Sequence, residues 1–297
     1  ASPMIRHYYQ LFLTIALSLS WTSVFPANES GNPTYTAERP LVYEDAWDLW
    51  PYAFLSETGE PMGYNIDMMK LIFKELDIPY KFKLKPAKEA LSDLKAGHSD
   101  LMCSIEARFH DEYAHYGKNV IQIFTHSVVH KKDAPRYVKS VSDLATQRVI
   151  VHRGGMTQHL MMQKGWEKNV IPYDDIQEAL LYVHNTQGNQ VVANTLSMKW
   201  LIHKFQYDDL ELTPIDIPHG DYKFMSNDAR LLEQVDSVFV WLSSTGRLQP
   251  IQRKWFYPEY KDTGIPSWVW YVVVALLVII AIFLTYYISY RFYERRN

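Results

Sequence analysis

The amino-acid sequence predicts an α/β protein with two successive α/β units followed by one long apolar helix. Strand-like and helix-like segments alternate along the chain, as expected for a mainly parallel sheet. The alternation is interrupted near residue 131 and resumes near residue 135, which indicates a second unit. No charged residue occurs from Ile265 to Tyr290, a run long enough to cross a bilayer.

The first unit is predicted to run strand, helix, strand, helix, strand. In the first helix, apolar residues recur at helical spacing, and the strand that follows alternates as YKFKLK. Gly97 is a typical helix end. The five segments are 41–43, 65–76, 79–85, 87–96 and 101–105, with a long loop after the first.

The second unit repeats the alternation. A further strand, 121–130, precedes it; its own predicted strands are 148–152, 170–173 and 190–193, and its predicted helices are 143–146, 157–164, 174–183 and 197–205. Proline and glycine recur across 212–224, which predicts irregular structure there. A long helix at 228–243 and a short helix at 251–255 follow before the apolar run.

Residues 1–27 are predicted to be a leader rather than part of a folded unit. Arg6 and His7 precede a short apolar stretch at 11–19, and small residues follow it, as in a secretory signal peptide. Cleavage after Ser20 and cleavage after Ala27 are both compatible with the pattern, and an uncleaved anchor is an alternative. Residues 1–3 precede the first methionine and are interpreted as a remnant of cloning.

The apolar run at 265–290 is interpreted as a transmembrane helix. Aromatic residues stand at both ends, as they do at membrane interfaces: Trp268, Trp270, Tyr271, Tyr286, Tyr287 and Tyr290. Three arginines follow within 291–297, which places the C-terminus in the cytoplasm by the positive-inside rule. The sequence thus predicts a single-pass protein of the inner membrane with a periplasmic N-terminal domain and a cytoplasmic segment starting at 291.

Composition and motifs exclude several function classes. A net charge of −3 gives no reason to expect nucleic acid as a partner. The single cysteine, Cys103, excludes an intramolecular disulfide and a cysteine-based zinc site. His126 and His130 would lie about 13 Å apart along a strand, too far to share a metal. The sequence has no nucleophile elbow, phosphate loop or HExxH motif, so no enzyme, cofactor or metal is predicted.

Four segments, in this order, resemble family 3 of the bacterial solute-binding proteins. They read GYNIDMMKLIFKEL, LKAGHSDLMCSIEAR, SDLATQRVIVHRGGMT and LLEQVDSVFVWLSSTGRLQPIQRKWF. Members serve amino-acid uptake systems and many sensor kinases. The resemblance covers about residues 40–258 and implies a two-lobed periplasmic-binding-protein-like clamshell (type II). Lobe 1 would comprise 36–130 and 220–258, lobe 2 would comprise 131–219, and the ligand would lie in the cleft.

The resemblance implies that Arg108 binds a ligand carboxylate. A planar guanidinium pairs with a carboxylate through two parallel hydrogen bonds. The alternative is a surface ion pair with Glu106 or Asp111. Ile105 stands where amino-acid binders usually carry threonine. Ser104 is a neighbouring candidate, although alternation along a strand would point it the other way.

On lobe 2, the resemblance places Gly155, Met156 and Thr157 at a helix N-terminus that faces the ligand. Free N–H groups there suit an anion; the alternative is a plain tight turn. Gln190 stands where many relatives carry the aspartate that holds an α-ammonium group, and Asn194 is a candidate to face the cleft. A standard α-amino acid is therefore less expected here than in the family as a whole, and the expected ligand is a small acidic or amino-acid-like solute.

Tyr52 and Phe54 match the family position whose aromatic ring stacks on the ligand from lobe 1. Replacing Tyr52 by alanine is then expected to weaken binding without altering the folding of lobe 1. Trp47 and Trp50, in the same loop, are interpreted as loop packing.

Together these features favour the extracytoplasmic sensor module of a transmembrane histidine kinase. The module would bind a small-molecule ligand, and the chain would be anchored in a lipid bilayer by the helix at 265–290 and form a homodimer. The alternative is a membrane-anchored solute-binding protein of an ABC-type amino-acid importer. An enzyme would need a further domain, and a glutamate-receptor-like channel would need membrane segments between the lobes; residues 131–219 contain none.

Overall fold

The computed structural model describes residues 35–106, 112–257 and 267–294, with side chains of the last helix described at 269 and 271–287. The predicted leader and Arg108 lie outside the described residues. The strands are β1 (Leu41–Ala46), β2 (Asp48–Leu49), β3 (Ala53–Leu55), β4 (Pro61–Met62), β5 (Tyr80–Lys85), β6 (Met102–Ile105), β7 (His115–Tyr116), β8 (Gln122–Lys131), β9 (Val149–His152), β10 (Val170–Tyr173), β11 (Val191–Asn194) and β12 (Leu210–Ser226). The helices are α1 (Tyr64–Leu76), α2 (Ala87–Ala96), α3 (Met156–Gln163), α4 (Ile176–Asn185), α5 (Thr195–Phe205), α6 (Ala229–Ser244), α7 (Gln249–Phe256) and α8 (Ser267–Glu294), with 3₁₀ turns at Val141–Ala145 and Glu167–Asn169.

One sheet carries most of the strands, and the predicted α/β class is confirmed. Its order is β10-β9-β11-β8-β12-β6, with β7 also paired to β12. β9 pairs in parallel with β10 and β11, whereas β8 and β12 pair antiparallel to their neighbours. β1 and β5 form a separate parallel pair, linked to the start of β6 by a bridge between Tyr43 and Leu101.

The prediction of irregular structure at 212–224 is wrong, because β12 runs unbroken from Leu210 to Ser226. Its pairing with β8 shifts register between Ile215 and Gly220. Pro218 falls inside that shift, where a missing backbone donor is tolerated. Long-range pairing with two neighbouring strands thus overrides the local turn signals.

Buried side chains pack around both ends of β8 and β12. The first core gathers residues of β1, α1, α6 and α7. Beyond it, alternate residues of β8, β9 and β11 pack on opposite faces of the sheet, one face covered by α4 and α5 and the other by α3. Burial on both faces explains the continuous apolar runs of β9 and β11. We use lobe 1 for the elements around the first core and lobe 2 for those around the other two.

The short helix α7 ties the end of the folded region to lobe 1. Trp255 and Phe256 are buried in the first core. Trp255 Nε1 donates to Asp67 Oδ2 of α1 at 2.8 Å, and Lys254 Nζ donates to the same oxygen at 2.7 Å. The chain therefore leaves lobe 1 from a fixed point, ten residues before α8 begins.

Helix α8 presents apolar side chains to its surroundings along its described length. The side chains from Tyr271 to Tyr287 are all exposed, and Tyr271 is the most exposed of its large apolar residues at 75%. Within the described residues, no helix combines the length and the hydropathy that a membrane crossing requires.

A buried carboxyl group, that of Asp45, joins three elements of lobe 1. Asp45 Oδ2 accepts hydrogen bonds from the Tyr43 hydroxyl and, at 2.8 Å, from Asn65 Nδ2 of α1. Asn65 Nδ2 also donates to the Tyr222 hydroxyl of β12 at 2.8 Å. Burial raises the pKa of Asp45 to about 6, although the hydrogen bonds from Tyr43 and Asn65 lower it in part.

We expect Asp45 to weaken lobe 1 as pH rises. Its folded pKa of about 6 lies above its ordinary value of 3.8, so the folded state binds the proton more tightly than the unfolded state. The free energy of unfolding should therefore fall by about 2 kcal/mol between pH 4 and pH 7 through this group. Urea denaturation followed by tryptophan fluorescence at several pH values measures this change. Asp45→Asn should lack the part of the pH dependence that comes from Asp45. The exposed Asp216→Asn is the control and should follow the wild type; an unchanged slope in Asp45→Asn contradicts the assignment.

Candidate functional site

The carboxyl ends of β9 and β11 in lobe 2 meet the loop between β1 and α1 of lobe 1. Ligands of open α/β sheets lie at such strand ends. β9 ends at His152 and leads through Gly154 to α3, and β11 ends at Asn194 and leads directly to α5. We call this region the interlobe site; it comprises residues 48–54, Ile105 and Gly220 from lobe 1 and His126, His152, residues 155–157, Asn194, Ser197, Trp200 and Lys204 from lobe 2.

Tyr52 lies inside the first core and reaches the interlobe site only with its hydroxyl. Its side chain is fully buried, and its ring packs on Phe124, Tyr222 and Phe256 with centroids 4.8, 5.5 and 5.3 Å apart. The hydroxyl lies beside the Asn194 side chain without forming a hydrogen bond of normal geometry. Burial raises the pKa of Tyr52. The ring is therefore a core component, and the hydroxyl is the group available to a ligand.

Phe54 is covered by other aromatic rings. Trp50 stacks on it with centroids 3.7 Å apart, and Trp255 meets its edge at 5.7 Å. Trp50 also stacks on Trp200 of α5 at 5.1 Å, and Lys204 Nζ lies 4.5 Å above the Trp50 ring. Trp50 thus packs across to the other lobe, a contact that the sequence analysis missed.

Neutral hydrogen-bonding groups gather around Asn194. Asn194 Oδ1 accepts from Ser197 N at 2.9 Å and so caps α5, which leaves its NH₂ group toward Tyr52. His126 is the register partner of Asn194 on β8. His126 Nδ1 and Ser197 Oγ are buried and have no hydrogen-bond partner among the described residues. Burial lowers the pKa of His126 to about 4, so the ring is neutral at physiological pH.

The start of α3 faces lobe 1 through Met156. A Cβ atom on Gly220 would lie 3.3 Å from Met156 Sδ and 2.7 Å from Ile105 Cγ2, so these three residues meet between the lobes. Gly155 precedes the helix with extended backbone, and the first-turn N–H groups have no partners within the helix. Thr157 is buried, and its hydroxyl has no partner among the described residues.

Ser104 lies beside the interlobe site without an evident role in it. Its hydroxyl donates to the Ile105 carbonyl at 3.3 Å, and its strand partner is Lys223. Glu106, the alternative partner for Arg108, accepts from Lys223 Nζ at 2.7 Å. Ile105, which stands in place of the family threonine, is the residue that meets Met156.

Gln190 is a structural residue of lobe 2. It is buried, its Oε1 accepts from Val138 N at 3.1 Å, and its Nε2 donates to the Pro135 carbonyl at 3.1 Å. Both ends of the amide are thereby engaged with the segment that enters lobe 2. No group for an ammonium ion is supplied from this position.

An open groove on the outer side of lobe 1 shares no residue with the interlobe site. It has a volume of about 860 Å³ and is lined by α1, the start of β5 and the turn before α7. Its charges are partly paired, since Arg247 binds Glu75 at 2.7 Å. Among the described residues, no group of three or more His, Cys, Asp or Glu side chains is placed to hold a metal ion.

Comparisons with known proteins agree with this architecture. The family model described as bacterial extracellular solute-binding proteins, family 3, matches residues 46–258. The arginine-binding periplasmic protein of Mannheimia haemolytica is 22% identical over 75% of this chain and 92% of its own length. A probable amino-acid-binding protein of Bacillus subtilis (strain 168) is 23% identical over 82% of this chain and 94% of its own length.

Solved structures share the fold. A histidine kinase sensor domain with similarity to periplasmic binding proteins superposes with a TM-score of 0.69 at 21% identity, covering 76% of this chain and 98% of its own. An ancestral arginine-binding protein bound to glutamine superposes with a TM-score of 0.63 at 19% identity, covering 73% of this chain and 97% of its own. At these identities the likeness shows the fold alone, and it confirms the periplasmic-binding-protein-like architecture.

Proposed function

Because the chain belongs to the bacterial extracellular solute-binding proteins of family 3, we propose that it is the ligand-sensing module of a membrane-anchored signalling receptor, namely the input half of a sensor histidine kinase. It binds a small solute between the lobes and supplies no catalysis of its own. The observation that carries the binding role is the meeting of Asn194 and the start of α3 with the Tyr52 hydroxyl and Ile105. That arrangement brings a polar group of each lobe, the Tyr52 hydroxyl and the Asn194 amide, side by side.

The proposed ligand carries a carboxylate and no α-ammonium group that needs a counterion. Arg108 and the N-terminal turn of α3 supply positive potential for the carboxylate. His126, Asn194 and Ser197 supply neutral donors and acceptors for the remainder. Gln190 is committed to the backbone of lobe 2, so the usual ammonium partner is missing.

The proposed lobes are 36–130 with 220–258 and 131–219, and they hinge on β8 and β12, which run through both. A ligand that touches both lobes favours the closed form by its differential affinity for it. Trp255 and Phe256 fix the exit of the chain from lobe 1, so a rotation of that lobe moves the start of α8.

We further propose that α8 is the membrane anchor and that two copies pair through it. Its apolar, exposed side chains support this role, as do the charge-free run from Ile265 to Tyr290 and the arginines after it. On the same grounds we propose that residues 28–264 lie in the periplasm. The expected result of membrane fractionation is that the full chain stays in the pellet after an alkaline wash.

Calorimetry on the full chain in detergent micelles tests the binding role. A panel of small carboxylates and amino acids is titrated, and the carboxylates that lack an α-ammonium group are expected to bind best. Arg108→Ala should raise the dissociation constant of the best ligand at least 100-fold without lowering the melting temperature. Arg39→Ala removes a cation from an exposed turn of lobe 1 and should bind like the wild type. Equal affinity of Arg108→Ala and wild type removes Arg108 from the site.

The second candidate function is a membrane-anchored binding protein of an amino-acid importer, favoured by the similarity to the two amino-acid-binding relatives. Cross-linking separates the two. Cys103, the single native cysteine, is buried, so Leu277→Cys introduces one reactive thiol into α8. A receptor should change its α8–α8 cross-linking rate when ligand is added. A cross-linking rate that does not change when ligand is added favours the binding protein of an importer.

A further inference from the structure

An acid and a histidine pair across the two lobes, 104 residues apart in sequence. His152 Nε2, at the end of β9, lies 2.8 Å from Asp48 Oδ2 in β2. Both side chains are largely shielded from solvent, with 22% of His152 and 12% of Asp48 exposed. Neither residue stood out in the sequence, because no local pattern links them.

The surroundings of His152 favour its protonated ring. Burial alone lowers the pKa of His152, but the hydrogen bond and charge of Asp48, the Asp174 backbone and the Asp175 carboxylate together leave the pKa raised above 6.5. Arg153 is the neighbouring cation, and it is engaged by the Asp174 carboxylate. A ring that faces acceptors on both sides satisfies both only when both nitrogens carry protons.

The neighbouring described contacts between this loop and lobe 2 are aromatic and cation–π contacts. Two residues after Asp48, Trp50 stacks on Trp200, and Lys204 Nζ lies 5.0 Å above the Trp200 ring. These aromatic and cation–π contacts hold the same loop against lobe 2. Asp48 and His152 therefore add a titratable pair beside these aromatic and cation–π contacts.

We propose that closure of the two lobes takes up a proton at His152, so that the chain responds to periplasmic acidity as well as to a solute. In the open form Asp48 is withdrawn, and His152 titrates near its ordinary value of 6.5. The stabilisation of the closed form is fully present below that pH and is lost as pH rises through the higher value of the closed form. The closed-to-open ratio changes about tenfold for each unit by which closure raises the pKa. This coupling involves no solute, so it stands or falls independently of the proposed ligand.

Spin-label distance measurements on the full chain in nanodiscs, without solute, test the proposal. Lys88→Cys on α2 and Lys168→Cys in the 3₁₀ turn of lobe 2 are exposed and lie on different lobes. The population with the longer distance should grow as pH rises from 5.5 to 8.5. His152→Gln should lose this response, and so should Asp48→Asn, each with a melting curve to verify folding.

The control is His159→Gln, which removes another titratable imidazole from lobe 2 at an exposed position of α3. It should respond to pH like the wild type. A wild-type distance distribution that is the same at both pH values overturns the proposal. A response that persists in both His152→Gln and Asp48→Asn also overturns it, because the proton would then bind elsewhere. If one of these two variants fails to fold, the other decides the question.

Discussion

Replacing Tyr52 by alanine is expected to lower the free energy of unfolding by about 3–5 kcal/mol, the cost of removing a buried aromatic ring. The ring packs against Phe124, Tyr222 and Phe256, which belong to β8, β12 and α7. Its loss leaves a cavity where β8 and β12 meet α7. Urea denaturation measures the change. The sequence-based expectation that this variant leaves the folding of lobe 1 unaltered is thereby corrected.

Tyr52→Phe is the matched control, because it keeps the ring and removes only the hydroxyl. That hydroxyl is buried, and no residue that the structure describes forms a hydrogen bond with it. Its removal should leave stability unchanged or raise it by about 1 kcal/mol. If the hydroxyl contacts ligand, Tyr52→Phe should weaken binding while stability is preserved. Wild-type stability in Tyr52→Ala would show that the ring does not belong to the first core.

Elements whose residues repeat at a local period could be predicted from the sequence. α1 shows apolar residues at helical spacing, and seven of its residues, among them Ile66, Met69 and Phe73, are buried. β9 and β11 read as short apolar runs because both of their faces are covered. The strands β2, β3 and β4 were missed inside a predicted loop. They have two or three residues each and exist only through pairing with one another.

The sequence indicated several residues of the candidate site, but it did not indicate which way their side chains point. Turn signals and aromatic residues drew attention to Tyr52 and Phe54, yet no local pattern distinguishes a ring in the core from a ring in the cleft. The pairs Trp50–Trp200 and Asp48–His152 join positions more than 100 residues apart. Such contacts depend on how the lobes approach each other. Trp200 and Lys204 are one helical turn apart on α5 and so lie on the same face of the helix. This spacing is a local pattern that indicates a shared contact surface.

Gly63→Ala is expected to destabilise lobe 1 by roughly 4 kcal/mol. Gly63 precedes α1 with a φ of 126°, where an L-residue is strained by about 1–3 kcal/mol. A Cβ atom there would lie 2.3 Å from the Tyr52 carbonyl oxygen and 2.9 Å from that of Pro51. Backbone cannot move aside as a flexible side chain can, so overpacking adds about 1–3 kcal/mol more.

The clash also falls on the start of α1. Tyr64 N donates to the Pro51 carbonyl at 2.9 Å and Asn65 N to the Tyr52 carbonyl at 2.8 Å, so this backbone satisfies two first-turn donors of the helix. Moving it to admit a methyl group lengthens both bonds and shifts Tyr52, and with it the hydroxyl beside Asn194. We therefore expect Gly63→Ala to weaken solute binding as well as stability.

Gly59→Ala separates the clash from the strain of a positive φ. Gly59 has a φ of 81° in the same loop, but a Cβ atom there meets nothing within 4 Å. It should lose only about 1–2 kcal/mol, the cost of the left-handed backbone, and should bind solute normally. Denaturation and calorimetry on the two variants compare them directly. Equal losses in both would mean that the carbonyls of residues 51 and 52 do not crowd Gly63, and the link from the start of α1 to Tyr52 would then have to be abandoned.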